Sequence, residues 1–324
     1  MTEVPEQTRR TVLKTAAASL VGAATLSTAG AAKRGNGGGR SGWTPVETPT
    51  GNTLSDVEAT NDGSYAVGGG GIVLARGNNA WEKVLDGGPT GNGNSLYGAD
   101  VTDDGSRLWF VGASGAIGEY DVESGVLSDH SAPNDVTNNF NDVAVTGQAD
   151  EANVYVAGDS GKIYYSFENG ESGTWDSVTP GSGSEINAID FHDSKAGHAV
   201  DGNQTVFVTG DGTSWDKLGI ADANYNFYGV DSDAADDVSV SGGGGTVYDW
   251  DGSQWVRSDT GDAGLRDVEV DSDEGLTVGG GGAVFRLDGE WSREETPTGA
   301  NLKAVLRGKP DIAVGASGTV VEYR

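Results

Sequence analysis

Residues Trp255 to Trp291 read W-V-R-S-D-T-G-D-A-G-L-R-D-V-E-V-D-S-D-E-G-L-T-V-G-G-G-G-A-V-F-R-L-D-G-E-W. Three short runs have strand character, Leu265 to Val270, Gly275 to Val278 and Ala283 to Leu287, and a fourth opens at each Trp. Gly-rich and Asp-Gly punctuation between them predicts an antiparallel meander. A single four-stranded sheet cannot bury both of its faces, so the unit implies an array.

The array is found by aligning the innermost strand of each unit on the pattern apolar, variable, small or Asp, apolar. Seven copies fit: Leu54 to Val57, Leu96 to Ala99, Phe140 to Val143, Ile186 to Ile189, Phe227 to Val230, Leu265 to Val268 and Leu302 to Val305. Each is followed by a strand ending in Gly, a turn of Gly and small polar residues, and a third strand such as Thr246 to Trp250. Trp81, Trp175, Trp215, Trp255 and Trp291 open fourth strands; as inter-blade packing residues they are structural, and truncating Trp255, if buried, costs about 3–5 kcal/mol.

The last copy holds three strands and ends at Arg324, whereas Trp43 to Glu47 is a fourth strand with no sheet before it. Lending that segment to the last sheet closes a ring and leaves no open edge. The fold class is therefore all-β: a seven-bladed β-propeller of four-stranded antiparallel blades, residues 43–324, closed by its N-terminal strand. A parallel β-helix would want shorter rungs and leaves the divided last sheet unexplained.

Before the array, Thr8-Arg9-Arg10-Thr11-Val12-Leu13-Lys14 precedes an Ala-rich apolar run ending in small residues near Ala31. Arg9 and Arg10 in that setting read as a twin-arginine export signal over residues 1–32, and Lys33 to Gly42 as a Gly-rich linker. The expected product is secreted and monomeric, without membrane insertion after signal removal.

The 324 residues carry 49 Asp and Glu against 20 Lys and Arg, a net charge of -29, and no cysteine. Such a charge disfavours nucleic acid and anionic membranes as partners, and disulfide and thiolate chemistry are ruled out. The acids Asp103, Asp104, Asp231, Asp233, Asp236, Asp237, Asp271 and Asp273 read as turn residues of a solvated coat. None fits a calcium-loop pattern. No cofactor and no metal site is expected, since His130, His192 and His198 fall in no ligand spacing.

The repeated A-V-G-x-G-G-x-V, with the turns Thr209 to Trp215 and Ser166 to Trp175, resembles the YVTN/BNR-like propellers, close to the photosystem II assembly/stability-factor-like group. The two turns look like degenerate Asp-boxes, and signal and charge together resemble an exported haloarchaeal protein. The resemblance implies a fold and no chemistry. Sialidases share that architecture, and the resemblance to them would require a three-arginine clamp, of which only Arg266 stands near an inner strand.

One register varies where its neighbours are uniform. The second residue of each inner strand is Ser55, Tyr97, Asn141, Asn187, Tyr228, Arg266 and Lys303. Tyr97, Asn141, Asn187, Tyr228, Arg266 and Lys303 are the candidate ligand-binding residues at the channel mouth, suited to a carbohydrate or peptide that bears a carboxylate. The expected function is a non-catalytic scaffold for a protein or carbohydrate at the cell surface, with a glycan-processing enzyme as the alternative. Screening of the acidic coat predicts that the melting temperature rises from low to multimolar salt; a thermal-denaturation series in KCl checks it.

Overall fold

The computed structural model describes residues 42–77, 80–221 and 223–324; the expected export signal and most of the expected linker lie outside them. The described chain forms seven four-stranded antiparallel sheets. Six run in simple chain order from the innermost strand outward. Their inner strands are Leu54–Thr60, Leu96–Val101, Phe140–Thr146, Ile186–Phe191, Phe227–Ala234 and Leu265–Asp271, defining blades 1 to 6. Blade 7 joins Leu302–Leu306, Asp311–Gly315 and Thr319–Tyr323 to the N-terminal strand Trp43–Val46, with Trp43 opposite Tyr323. The ring closes as the divided last unit required.

Packing follows from the strands' composition. Second strands such as Arg107–Gly112 and Glu274–Gly279 are apolar almost throughout because both of their faces are covered. The buried residues form seven clusters, each shared by two adjacent blades. One joins Leu54, Leu74 and Trp81 of blade 1 to Ile312 and Val320 of blade 7. Trp81 is 3% exposed, whereas Trp255 is only half-buried. The large truncation cost anticipated at Trp255 therefore belongs to Trp81.

The turns between second and third strands are not two-residue hairpins. In blades 1, 2, 5, 6 and 7 they hold a three-residue segment whose second and third positions take positive φ, as at Ser114 (58°) and Gly115 (73°), or Ser317 (59°) and Gly318 (69°), whereas in blades 3 and 4 only Gly161 (70°) and Gln204 (64°) do so. Their first N–H donates to the carbonyl just before the inner strand, for example Gly69 to Thr53 and Gly280 to Gly264. The strand-ending glycine is needed for this approach: a Cβ on Gly68 would overlap the Thr53 carbonyl oxygen.

Buried and half-buried carboxylates join the blades. Asp56, Asp142 and Asp267 occupy the third position of their inner strands, and each carboxylate accepts two N–H groups. One comes from the next residue, and the other from the neighbouring blade: Ala99 (2.7 Å), Ile189 (2.9 Å) and Val305 (2.8 Å). Two positions further along, Asp100, Asp190, Asp231 and Glu269 accept from Val145, Ser232, Val270 and Arg307 in the same sense. Asp231 is thus no turn residue: it lies within an inner strand, 4% exposed. Asp233, Asp237 and Asp271 also lie in strands, while Asp103, Asp104, Asp236 and Asp273 do lie in turns.

Blade 7 has Ala304 and Leu306 at the two clasp positions, so its junction with blade 1 needs another device. Arg76 of blade 1 supplies it with a bidentate pair to Glu322 of blade 7, Nε–Oε1 2.8 Å and Nη2–Oε2 3.0 Å. Arg324 adds two further bonds to the same carboxylate, from Nη2 at 2.6 Å and Nε at 3.2 Å. Burial alone would raise the Glu322 carboxyl, but these guanidinium bonds outweigh it and hold the group below the ordinary carboxylate range. A depressed value stabilises the fold fully above the unfolded carboxylate pKa, about 4.3, and that contribution is lost as pH falls through the folded value. The melting temperature of Glu322→Gln should therefore lie below that of the parent chain at pH 7 and converge with it in acid; calorimetry from pH 7 to pH 2 checks this.

Candidate functional site

The inner strands start on one face of the ring, and there the seven variable residues converge. Ser55, Tyr97, Asn141, Asn187, Tyr228, Arg266 and Lys303 all line one cavity of about 490 Å³ at the channel mouth. The pattern that aligned the repeats is sufficient to bring them together, because it assigns one register to one height on the axis. Their environments then separate them into three sorts.

The amides are engaged in the scaffold. Asn141 Nδ2 donates to the Ile186 carbonyl of the next blade at 2.9 Å, and Asn187 Nδ2 to that of Phe227 at 2.6 Å. The aromatics present surface: Tyr97 is 37% exposed, and Tyr228 lies under the Arg266 guanidinium, with Cζ 4.1 Å from the ring centroid. A guanidinium seated over an aromatic face is held in place without losing its charge.

The third sort is the pair of cations. Among the described residues neither Arg266 nor Lys303 forms a salt bridge, whereas Arg76, Arg107, Arg286, Arg307 and Arg324 all do. Burial first, and the neighbouring Arg266 second, hold the Lys303 ammonium below the ordinary lysine range. Two adjacent cations that repel one another form a site for an anion, most simply a carboxylate. Arg266 is the one arginine at this mouth among the described residues, so the three-arginine clamp of the enzymatic alternative is not assembled there.

Two sets of residues around the mouth were not anticipated. Below the rim the cavity is lined by Asp56, Glu58, Asp142, Asp267 and Glu269, several of them the inter-blade carboxylates. On the surface beside it stands Tyr225, 43% exposed. Its register, two residues ahead of each inner strand, otherwise holds Asn52, Asn94, Asn138, Ser184, Ala263 and Ala300, and that departure was the available signal.

The two faces differ in charge. The turns from first to second strand, on the face opposite the mouth, carry Asp62, Asp103, Asp150, Asp193, Asp236 and Asp273 in blades 1 to 6. On the mouth face, the seven turns from second to third strand carry one acid, Asp159. The loops that enter the inner strands, also on the mouth face, carry Glu47, Asp86, Asp135, Glu185, Asp262 and Glu295, so the difference between the faces is one of degree.

The histidines lie elsewhere. His130 stacks on Trp109 with centroids 4.7 Å apart and places its nitrogens by the Gly170 carbonyl (3.0 Å) and Glu119 (3.1 Å). His192 and His198 both direct Nδ1 at the Ser232 hydroxyl, 3.0 and 2.7 Å away. Burial, and then His192, push His198 down to about 3, and Ser232 is itself 3% exposed. This Ser–His contact sits in the core, out of reach of a substrate.

No family model matches the chain, and no curated protein matches its sequence. Among solved structures it is similar to YCF48 from Cyanidioschyzon merolae, with TM-score 0.67, 18% identity and 87% of this chain covered against 98% of that one. It is also similar to YCF48 bound to a D1 peptide, with TM-score 0.69, 16% identity and 87% and 94% coverage. Virginiamycin B lyase from Staphylococcus aureus gives TM-score 0.74 at 11% identity, covering 86% and 98%. The chain has the fold of these propellers, as its repeat implied. A peptide-bound protein and a lyase share that fold, so it does not choose between binding and catalysis.

Replacing Arg266 by Gln should move the Lys303 pKa upward while leaving it below the ordinary lysine value, because burial, the larger cause, remains. NMR titration of the lysine side-chain resonances in the two proteins measures the shift.

Proposed function

We propose that this chain is an exported, non-catalytic scaffold whose channel mouth holds a carboxylate-bearing protein partner at the cell surface. The observation that carries the reading is the adjacent pair Arg266 and Lys303, which form no salt bridge among the described residues of a chain of net charge -29. Seven of the fourteen Lys and Arg among the described residues form a salt bridge, and of the seven that do not, Arg266 and Lys303 are the two that line the cavity. Cations so placed can meet an acid from outside. The face on which they stand is the less acidic one. The polypeptide nature of the partner draws support from the similar propeller that carries a D1 peptide. Export draws support from Arg9 and Arg10 and the apolar run that follows them.

The test uses the full chain immobilised in molar salt and exposed to envelope extract, beside the double variant Arg266→Ala, Lys303→Gln. A partner retained by the parent chain, lost with the variant and lost after protease treatment of the extract supports the reading. Retention that survives protease but not glycosidase points to a carbohydrate instead. Turnover of uronate-containing glycans that disappears with Arg266 would establish the catalytic alternative.

A further inference from the structure

Among the described residues, two of the five exposed large hydrophobic side chains are tyrosines on the mouth face, Tyr97 and Tyr225. Tyr225 is the more exposed of the two. Its hydroxyl makes no hydrogen bond among the described residues, and the same register elsewhere in the ring holds only amides, Ser or Ala.

The ring is nonetheless held in place. It lies against the Gly243 to Gly245 turn, so closely that a Cβ on Gly244 would come within 2.5 Å of Tyr225 Cζ. Gly244 has φ +63°, so the turn asks for glycine on conformational grounds as well. The turn is pinned in turn: Gly243 N–H donates to the Asn226 carbonyl at 3.0 Å, and Thr260 N–H to that of Gly245 at 2.8 Å. One face of the tyrosine rests on glycine backbone and the rest of the ring remains open to solvent. An aromatic immobilised before any ligand arrives loses little entropy when one does.

Tyr225 precedes the inner strand whose second residue, Tyr228, carries Arg266 on its ring. Blade 5 therefore leads from the cationic mouth outward to an open aromatic surface. Tyr225 stands three residues ahead of Tyr228, at most about 10 Å along a chain that advances about 3.3 Å per residue, so the step spans no more than about three residues of an extended bound peptide.

We propose that Tyr225 is a specificity-determining residue of the mouth, which takes an extended peptide whose carboxylate lies on Arg266 and Lys303. An apolar or aromatic side chain two or three residues from that carboxylate then lies on Tyr225. The inference rests on the carboxylate reading of the mouth, and adds to it the second recognition element and its spacing. A peptide fits because it supplies charge and apolar surface at a fixed separation.

The test is selection from a random heptapeptide library with free carboxyl ends, carried out on the parent chain, Tyr225→Ala and Arg266→Ala. The parent chain should enrich a carboxylate with an aromatic or large aliphatic residue two or three positions away. Tyr225→Ala should keep the acidic preference and lose the apolar one, and Tyr225→Phe should restore it. A synthetic peptide of the enriched sequence should bind Tyr225→Ala about tenfold more weakly, a change of about 1.4 kcal/mol. Identical enrichment by the parent chain and Tyr225→Ala overturns the proposal while leaving the cationic mouth intact. Absence of any acidic preference in the parent chain overturns the carboxylate reading itself. Because Tyr225 is exposed, its truncation should leave the melting temperature unchanged, and a fall of several degrees would show that the ring serves the fold instead.

Discussion

Seven separate sheets become one ring because carboxylates reach sideways from one inner strand to the N–H groups of the next. Apolar packing between blades is extensive but has no direction, and it would tolerate sliding of one sheet over another. An aspartate that accepts one N–H from its own strand and one from its neighbour fixes both the spacing and the height of the two strands. Leaving such a buried N–H without its acceptor costs about 1–3 kcal/mol, so the register is specified more sharply than burial alone would specify it. Third-position acids serve blades 1 to 2, 3 to 4 and 6 to 7, and fifth-position acids serve 2 to 3, 4 to 5, 5 to 6 and 6 to 7. The remaining junction is held by an arginine and a glutamate.

This arrangement divides labour along each inner strand. Where the third residue is no acid it is Gly or Ala, and the neighbouring blade explains why. A Cβ on Gly98 would run into Asp142, and one on Gly229 would meet the Asp267 backbone. The crowding stops one residue earlier, at the second position, where side chains face the open mouth. Variation is permitted there, and the aromatics and cations collect in that register. Asn141 and Asn187 show the boundary between the two regimes: they line the mouth, yet their amide groups bridge blades.

The fold was legible because its signal repeats. Seven copies of one apolar pattern, with a fourth strand out of place at Trp43, leave little choice of topology, and a shared register delivers the mouth residues together. The carboxylates were harder to read. Asp231 in D-S-D-A-A-D-D looks like any solvated turn acid, and its partner Val270 lies 39 residues further along. Nothing local distinguishes an aspartate that faces water from one that faces the next blade's backbone. Tryptophan burial was obscure for a similar reason, since how much of each indole is covered depends on the outer strand of the adjacent sheet. Tyr225 lies outside the strands that carry the repeat signal, and its oddity shows only when the preceding loops are aligned on the same frame.

The pairing of Trp43–Val46 with Thr319–Tyr323 bears on how the molecule is made. During synthesis the first strand emerges hundreds of residues before the only edge that can receive it. Blades 1 to 6 can assemble in order as they leave the ribosome, but the circle stays open until the third strand of blade 7 has been made. A chain that stops short of blade 7 is thus left with an unzipped seam, and ring closure reports that the last blade is in place.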